Sequence, residues 1–289
     1  MLAIKGETFS DVYIRSLGYL TKHPQYISSP RGMKVKETLN VGLVIKDPRF
    51  CLYHNPRRSS QYKYIAAELL WYFTGRSDLG FIENYSSFWR QIANDDKSIN
   101  SAYGNLIFKQ QNEHGVSQWQ WAMRSLIQDK DTRQAVMMFN KPQYQYGNNK
   151  DFICTLSGIF AIRNNRLNLT ITMRSNDVVL GTPTDVAFFC MLLQQAHKLL
   201  KEYYPDLKLG KYTHIANSYH LYERHFDLVD DMLKTYAVCE RMPSIGIDLI
   251  DINGNPSAEL IHLMNVVEFG GEYESTDPLL SWVYEKLTK

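Results

Sequence analysis

Cysteine is scarce. The chain of 289 residues has four, Cys51, Cys154, Cys190 and Cys239, far apart and never in a Cys-x-x-Cys pair. That spacing argues against a zinc site, a redox pair or a disulfide framework, and no metal site is expected. Long apolar runs are missing too: none approaches the ~18 residues a membrane-spanning helix needs. Excess charge is lacking, since 32 basic residues face 30 acidic ones for a net +2. Nothing therefore argues for direct DNA binding or for adhesion to a membrane surface. No Gly-x-Gly-x-x-Gly opens a helix, which disfavours a dinucleotide-binding fold. No repeat, low-complexity linker or leader is visible, and Lys5 and Glu7 interrupt the start. The expected setting is the cytoplasm, with reduced thiols.

What is present is a chain long enough for a substantial core, with 44% hydrophobic and 13% aromatic residues. Thr8-Phe9-Ser10-Asp11 reads as the capped start of a helix to about Lys22. Val35–Ile45 reads as a strand and Asp47–Arg58 as a loop. Tyr62–Phe73 predicts a strongly apolar helix, Leu79–Ile92 another, and Ser117–Gln128 an amphipathic one. Gln134–Phe139 reads as a short strand. Cys154–Arg163 and Arg166–Arg174 form an expected hairpin around Asn164-Asn165, a pair suited to a type I′ turn. Period-2 alternation puts Arg174 on the polar face of its strand. A helix over Thr184–Tyr204, a strand over Lys211–Asn217 and a helix over Leu221–Tyr236 follow. Ile261–Phe269 reads as a late strand, and a short helix is expected near Leu279. Strands mixed with helices, without strict βαβ order, predict one α+β domain over residues 1–289, built on a large mixed sheet flanked by helices.

Several residues stand out chemically. Cys154 follows a loop and heads a strand; it is either a buried core thiol or a nucleophile. As a nucleophile it needs electropositive neighbours, and Arg174 on the adjacent strand would provide one. Glu68 lies within Ala-Ala-Glu-Leu-Leu-Trp-Tyr-Phe, where a carboxyl is costly to bury without a partner. It is either on a solvated helix edge or a carboxyl of tuned pKa acting through water. Asp185 follows Gly-Thr-Pro at a helix start, where an N-cap is the plain reading. Arg133, His220 and Tyr222 are individually unremarkable.

Their order along the chain is informative. Arg31-Gly32, Glu68-Leu69-Leu70-Trp71, Tyr103-Gly104, Asp131-Thr132-Arg133, Cys154, Arg174-Ser175-x-Asp177-x-x-x-Gly181-x-Pro183 and His220-Leu221-Tyr222 occur in sequence. Together they resemble the thymidylate synthase family over about residues 8–230. The resemblance implies a homodimer with sheets packed at its interface, and a reaction between a pyrimidine nucleotide and 5,10-methylenetetrahydrofolate. By the same resemblance Cys154 would add to C6 of the base, and Glu68 would organise water and proton transfers. Arg31, Arg174 and Ser175 would hold the phosphate, joined by Arg133 from the partner subunit. His220 and Tyr222 would bind the sugar hydroxyl. Trp89, Asp177 and Tyr103 would lie toward the folate or the site.

Departures from the family pattern are as telling. Members acting on dUMP carry an asparagine where this chain has Asp185. A carboxyl can accept from the 4-amino group of cytosine and share a proton with N3. The exchange therefore implies dCMP, as in the hydroxymethylating branch of the family, and nominates Asp185 as a catalytic residue. Gln134 replaces a second phosphate-binding arginine, Thr155 a histidine beside the nucleophile, and Ile92 a second folate-side tryptophan. The residues from Leu279 to Lys289 do not resemble the family's short apolar closing tail. The implied activity is hydroxymethylation of dCMP to 5-hydroxymethyl-dCMP with release of tetrahydrofolate, in a bacterial or phage setting. Alternatives are methylation with release of dihydrofolate, CMP or dUMP as substrate, and a silent nucleotide-binding protein.

Overall fold

The computed structural model describes residues 1–289. The chain opens with β1 (Leu2–Gly6), α1 (Phe9–Lys22), β2 (Tyr26–Ser28), β3 (Val35–Ile45) and β4 (Leu52–His54). Then come α2 (Tyr62–Phe73), α3 (Leu79–Ile82), α4 (Phe88–Ile92) and α5 (Gln118–Gln128). The central block is β5 (Val136–Met138), β6 (Thr155–Arg163), β7 (Arg166–Asp177), α6 (Thr182–Leu200) and β8 (Lys208–Tyr222). It closes with α7 (Phe226–Leu233), β9 (Val238–Glu240), α8 (Ala258–Phe269) and α9 (Pro278–Thr288).

One seven-stranded mixed sheet runs β1-β3-β8-β7-β6-β5, with β2 pairing on β3. The β6–β7 hairpin turns at Asn164 and Asn165, both at positive φ (50° and 55°), as a type I′ turn requires. Alternation along β7 buries Leu167, Leu169, Ile171 and Met173. That face packs on α6, which is buried at fifteen of its nineteen positions. α2 packs against α6 in turn, giving one contiguous apolar cluster of 76 buried residues. Burial of this kind is the main stabilising term in the fold. The alternation breaks after Met173: Arg174 and Ser175 are both half-buried, and Asn176 is buried.

The second face of the sheet carries cross-strand rows. Val44, Thr213, Thr170, Ile159 and Val136 lie side by side through register pairing. Ile215, Thr172, Ser157 and Met138 form the next row, and Ile159 and Met138 are 40% and 50% exposed.

Four expectations need correction. Ile261–Phe269 is not a strand but most of α8: its buried residues, Leu260, Leu263, Met264 and Val266, follow helical spacing, and Ser257 caps the N-terminus. Leu221 and Tyr222 end β8, so the helix expected there shrinks to α7; pairing with β3 outweighs its helical pattern. The helix over Leu79–Ile92 splits into α3 and α4 at the polar Glu83–Ser87 stretch. The loop Asp47–Arg58 contains β4, which pairs with β9. Gly104 earns its place differently: a Cβ there would stand 1.8 Å from the Tyr72 carbonyl oxygen, so only glycine lets this segment pass α2.

Candidate active site

Three elements converge on Cys154. It sits in the bend just before β6, and its carbonyl accepts from the Arg174 N–H at 2.8 Å. The Arg174 guanidinium donates back to the carbonyls of Phe152 and Ile153, and lies 4.8 Å over the Phe152 ring. Arg174 thus braces the loop that carries the thiol. The expectation that arginine lowers the thiol pKa holds in sign only. Burial raises the Cys154 pKa; the charges of Arg174 and Arg31 oppose it but do not win. The free site therefore holds a neutral thiol. Arg31 itself is exposed on a short 3₁₀ turn, at φ 53°. That left-handed conformation is strained for a side-chain-bearing residue, as mobile ligand loops often are.

Glu68 is 6% exposed on α2. Its Oε1 accepts from Tyr64 at 2.8 Å and from Tyr72 at 3.2 Å, one helical turn to either side. The edge-of-helix reading is thereby excluded. Burial pushes its pKa up to about 8 even against these two hydrogen bonds, with the nearby charge of Asp185 adding to the rise. With Oε1 occupied as a double acceptor, the proton belongs on Oε2. The Trp89 indole donates to the Tyr64 hydroxyl at 3.0 Å and packs edge-on against Trp71. Trp89 is 4% exposed, so it backs the Glu68 cluster from behind, while the neighbouring Phe88 is 50% exposed. Tyr103 stacks on Tyr72, and its hydroxyl accepts from Thr155 at 2.9 Å. Thr155 thus ties the wall of the site to the residue after Cys154.

Asp185 does not cap α6. Gly181 occupies the N-cap position, and Asp185 stands in the first turn with its Oδ2 accepting from Asn176 Nδ2 at 2.8 Å. Burial lifts its pKa to about 7, against that hydrogen bond. Asp177 uses Oδ1 to accept from the Val179 and Leu180 N–H groups, leaving Oδ2 unpaired. It pairs in register with His220, and its charge pulls up the pKa of that imidazole while burial, the larger effect, lowers it. Tyr222 stands edge-on to His220 at 5.0 Å, and Ser175 lies beside Ser218.

Charge contacts thus link these residues in a chain: Glu68 and Tyr103 sense Asp185, Cys154 senses Asp185, Arg174 and Arg31, and His220 senses Asp177 and Arg174. Arg133 is exposed at the bend before β5, with no ion pair in its own chain. Sequence reasoning passed over Tyr64, Tyr72 and Asn176. The two tyrosines were findable, four residues either side of Glu68 on one helix. The role of Asn176 needs the turn that brings it to Asp185.

Comparison with known proteins agrees with this geometry. The thymidylate synthase family profile matches residues 45–263. The chain belongs to the thymidylate synthase family. It is accordingly an enzyme of the family's folate-dependent one-carbon transfer class. It is 31% identical to the deoxycytidylate 5-hydroxymethyltransferase of Enterobacteria phage T6, over 76% of this chain and 88% of that protein. The corresponding protein of phage T4 is 30% identical over the same shares. The deoxyuridylate hydroxymethyltransferase of Bacillus phage SP01 is 29% identical over 82% of this chain and 64% of that protein. No helix of this family member is long and apolar enough to cross a membrane.

Proposed function

We propose that this enzyme hydroxymethylates dCMP at C5, taking the carbon from 5,10-methylenetetrahydrofolate and the hydroxyl from water. The products are 5-hydroxymethyl-dCMP and tetrahydrofolate. Relatives named for dCMP and for dUMP are almost equally similar, so overall identity does not choose the base. One observation supports cytosine: Asp185, which we take as the reader of the base, is a buried carboxyl with a pKa near 7 and one oxygen already fixed as an acceptor. Such a group accepts from the 4-amino group and gives a proton to N3. Uracil offers the opposite pattern, and each mismatched buried polar group costs about 1–3 kcal/mol.

In this scheme Arg174, Arg31 and Ser175 hold the phosphate, with Arg133 of the partner subunit completing the clamp. Guanidinium forks suit a phosphate dianion. His220 and Tyr222 hold the sugar hydroxyl. The Cys154 thiolate attacks C6, and the negative charge that develops on the ring is met by a proton shared between Asp185 and N3. The neutral thiol of the free site gives its proton to bulk water only as the nucleotide is engaged. Glu68, protonated at neutral pH, orders water through Oε2–H and moves protons at C5 and its substituent. Expulsion of Cys154 frees the product.

The residues present suit the folate. The unpaired Oδ2 of Asp177 can accept from ring N–H groups, and the exposed Phe88 face, backed by Trp89, suits a flat heteroaromatic ring. The bound cofactor would supply the one-carbon unit.

The working form is a homodimer joined through the uncovered sheet face, whose rows of Val, Ile, Thr and Met suit a self-complementary contact. The whole chain acts as one catalytic domain, in the cytoplasm, on free nucleotides and without direct DNA binding. The test is competition between dCMP and dUMP for tritium release from C5. We expect dCMP to win by about tenfold or more and Cys154→Ser to release none. Equal use of dUMP contradicts the reading.

A further inference from the structure

The Asp185 carboxyl ends a buried chain of polar groups that no part of the proposed reaction uses. Tyr212 and His214 are adjacent on one face of β8, two residues apart. The Tyr212 hydroxyl lies 2.8 Å from His214 Nδ1. His214 Nε2 lies 3.0 Å from Asn176 Oδ1, and the Thr182 hydroxyl donates to that same oxygen at 2.5 Å. Asn176 Nδ2 then reaches Asp185 Oδ2. Tyr212, His214 and Thr182 are each 0% exposed, and Asn176 is 3% exposed.

The direction of the chain follows from its distances. A contact of 2.5 Å fits O–H···O and is too short for N–H···O, so the amide oxygen of Asn176 faces Thr182. That oxygen can only accept, so His214 Nε2 carries the hydrogen and Nδ1 accepts from Tyr212. Burial pushes the His214 pKa down to about 4, which keeps the ring neutral and compatible with this tautomer. The Asn176 amino group has one place left to donate, Asp185 Oδ2.

We propose that the Tyr212–His214–Asn176 relay, locked by Thr182, is a specificity-determining device that holds Asp185 Oδ2 as a fixed acceptor and leaves Oδ1 to carry the shared proton. The proposal rests on Asp185 as the reader of the base. It adds that the reader does not choose its own pattern. A free carboxyl can place its proton on either oxygen and adapt to either pyrimidine. A carboxyl held from behind presents acceptor and donor in one order, the order cytosine complements. The turn leaves little slack: a Cβ on Gly181 would stand 3.0 Å from Asn176 Nδ2 and 3.3 Å from Asp185 Oδ2. A backbone this close holds the pair in register.

His214, Asn176 and Thr182 are positioning residues, and they can be separated from packing. His214→Gln keeps an N–H donor where Nε2 stands; His214→Leu removes it at similar volume. The measurement is kcat/KM for dCMP and for dUMP with the complete enzyme and folate, beside Asn176→Ala and Asp185→Asn. Melting temperatures show which variants remain folded. We expect His214→Gln to keep the dCMP-to-dUMP ratio, and His214→Leu and Asn176→Ala to lower it about tenfold. Both should do so while retaining release of tritium from dCMP. If Asp185→Asn lowers the ratio but Asn176→Ala and His214→Leu do not, the relay is overturned and base reading by Asp185 stands. If His214→Gln and His214→Leu lower the ratio equally, His214 acts through packing and the relay is overturned. If Asp185→Asn leaves the ratio unchanged, both fall.

Discussion

Two carboxyls within electrostatic reach of each other are held in different ways. Glu68 on α2 receives two phenolic hydroxyls from its own helix, one turn away on either side. Asp185 on α6 receives a single amide N–H that is itself oriented by β8. Both have one oxygen committed as an acceptor, and burial raises both pKa values, to about 8 and about 7. Glu68 is held locally, within one helix, whereas Asp185 is the end of a long-range assembly. Under the proposed function Glu68 serves either base and Asp185 reads the base, so general catalysis and selectivity would sit on separate helices and could be varied separately.

The sharpest break in that comparison is Glu68→Gln. It should lower kcat/KM on the order of a thousandfold, the middle of the range for a positioned acid or base, and equally for dCMP and dUMP. A substrate-dependent loss would mean that Glu68 takes part in base selection. Next comes Asp185→Asn, which removes the proton offered to N3. Turnover of dCMP should fall about a hundredfold, while use of dUMP changes little. An equal loss on both substrates would make Asp185 a general acid rather than a reader.

Stability against pH separates the two further. Each group holds its proton in the folded state past the point where the unfolded chain releases it. Their contribution to stability is therefore full below about pH 4.5 for Glu68 and about 3.8 for Asp185, and is lost as pH rises toward about 8 and about 7 respectively. Urea unfolding from pH 5 to pH 9 should show Glu68→Gln losing less than the parent, by roughly 1–3 kcal/mol. Parallel pH profiles would contradict the raised pKa. The smallest expected effect is that of Tyr64→Phe. Its hydroxyl lowers the Glu68 pKa, so its loss should move the alkaline limb of activity to higher pH at a cost of about 1 kcal/mol in stability. An unmoved or lowered limb would show that Tyr64 does not stabilise the carboxylate.

The same contrast explains what could be seen in the sequence. The Glu68 helix was legible to the residue, because an apolar run of helical length closed by Gly75 is a local signal; in the fold Ile65 to Phe73 are buried without interruption. The order of the motifs and the hairpin at Asn164-Asn165 were legible for the same reason. Helix α8 was misread because its β-branched Ile261, Val266 and Val267 mimic a strand, while the capping Ser257 and the packing beside α9 decide otherwise. At Cys154 the lowering charge of Arg174 was legible but the larger, opposing effect of burial was not, because a charge partner can be read from a motif and the extent of burial cannot. Asp185 was singled out in the sequence, and the fold places it buried at the start of α6 with Asn176 on its Oδ2. Its mode of support was not legible, because Asn176, Thr182 and His214 meet only when β7, α6 and β8 are folded together. The C-terminus, set apart by its sequence, proves to be α9 docked on α2 through Leu279, Leu280, Val283 and Leu287. It is a packed helix rather than an apolar closing strap.

The central claim is that this family member makes 5-hydroxymethyl-dCMP. It is tested most directly by incubating the enzyme with 5,10-methylenetetrahydrofolate and dCMP, dUMP or CMP in separate reactions, then measuring the mass of the nucleotide and the oxidation state of the folate. The predicted result is a gain of CH2O on dCMP above the other two, with tetrahydrofolate released. A gain of CH2 with dihydrofolate, or preferential conversion of dUMP or CMP, would contradict it.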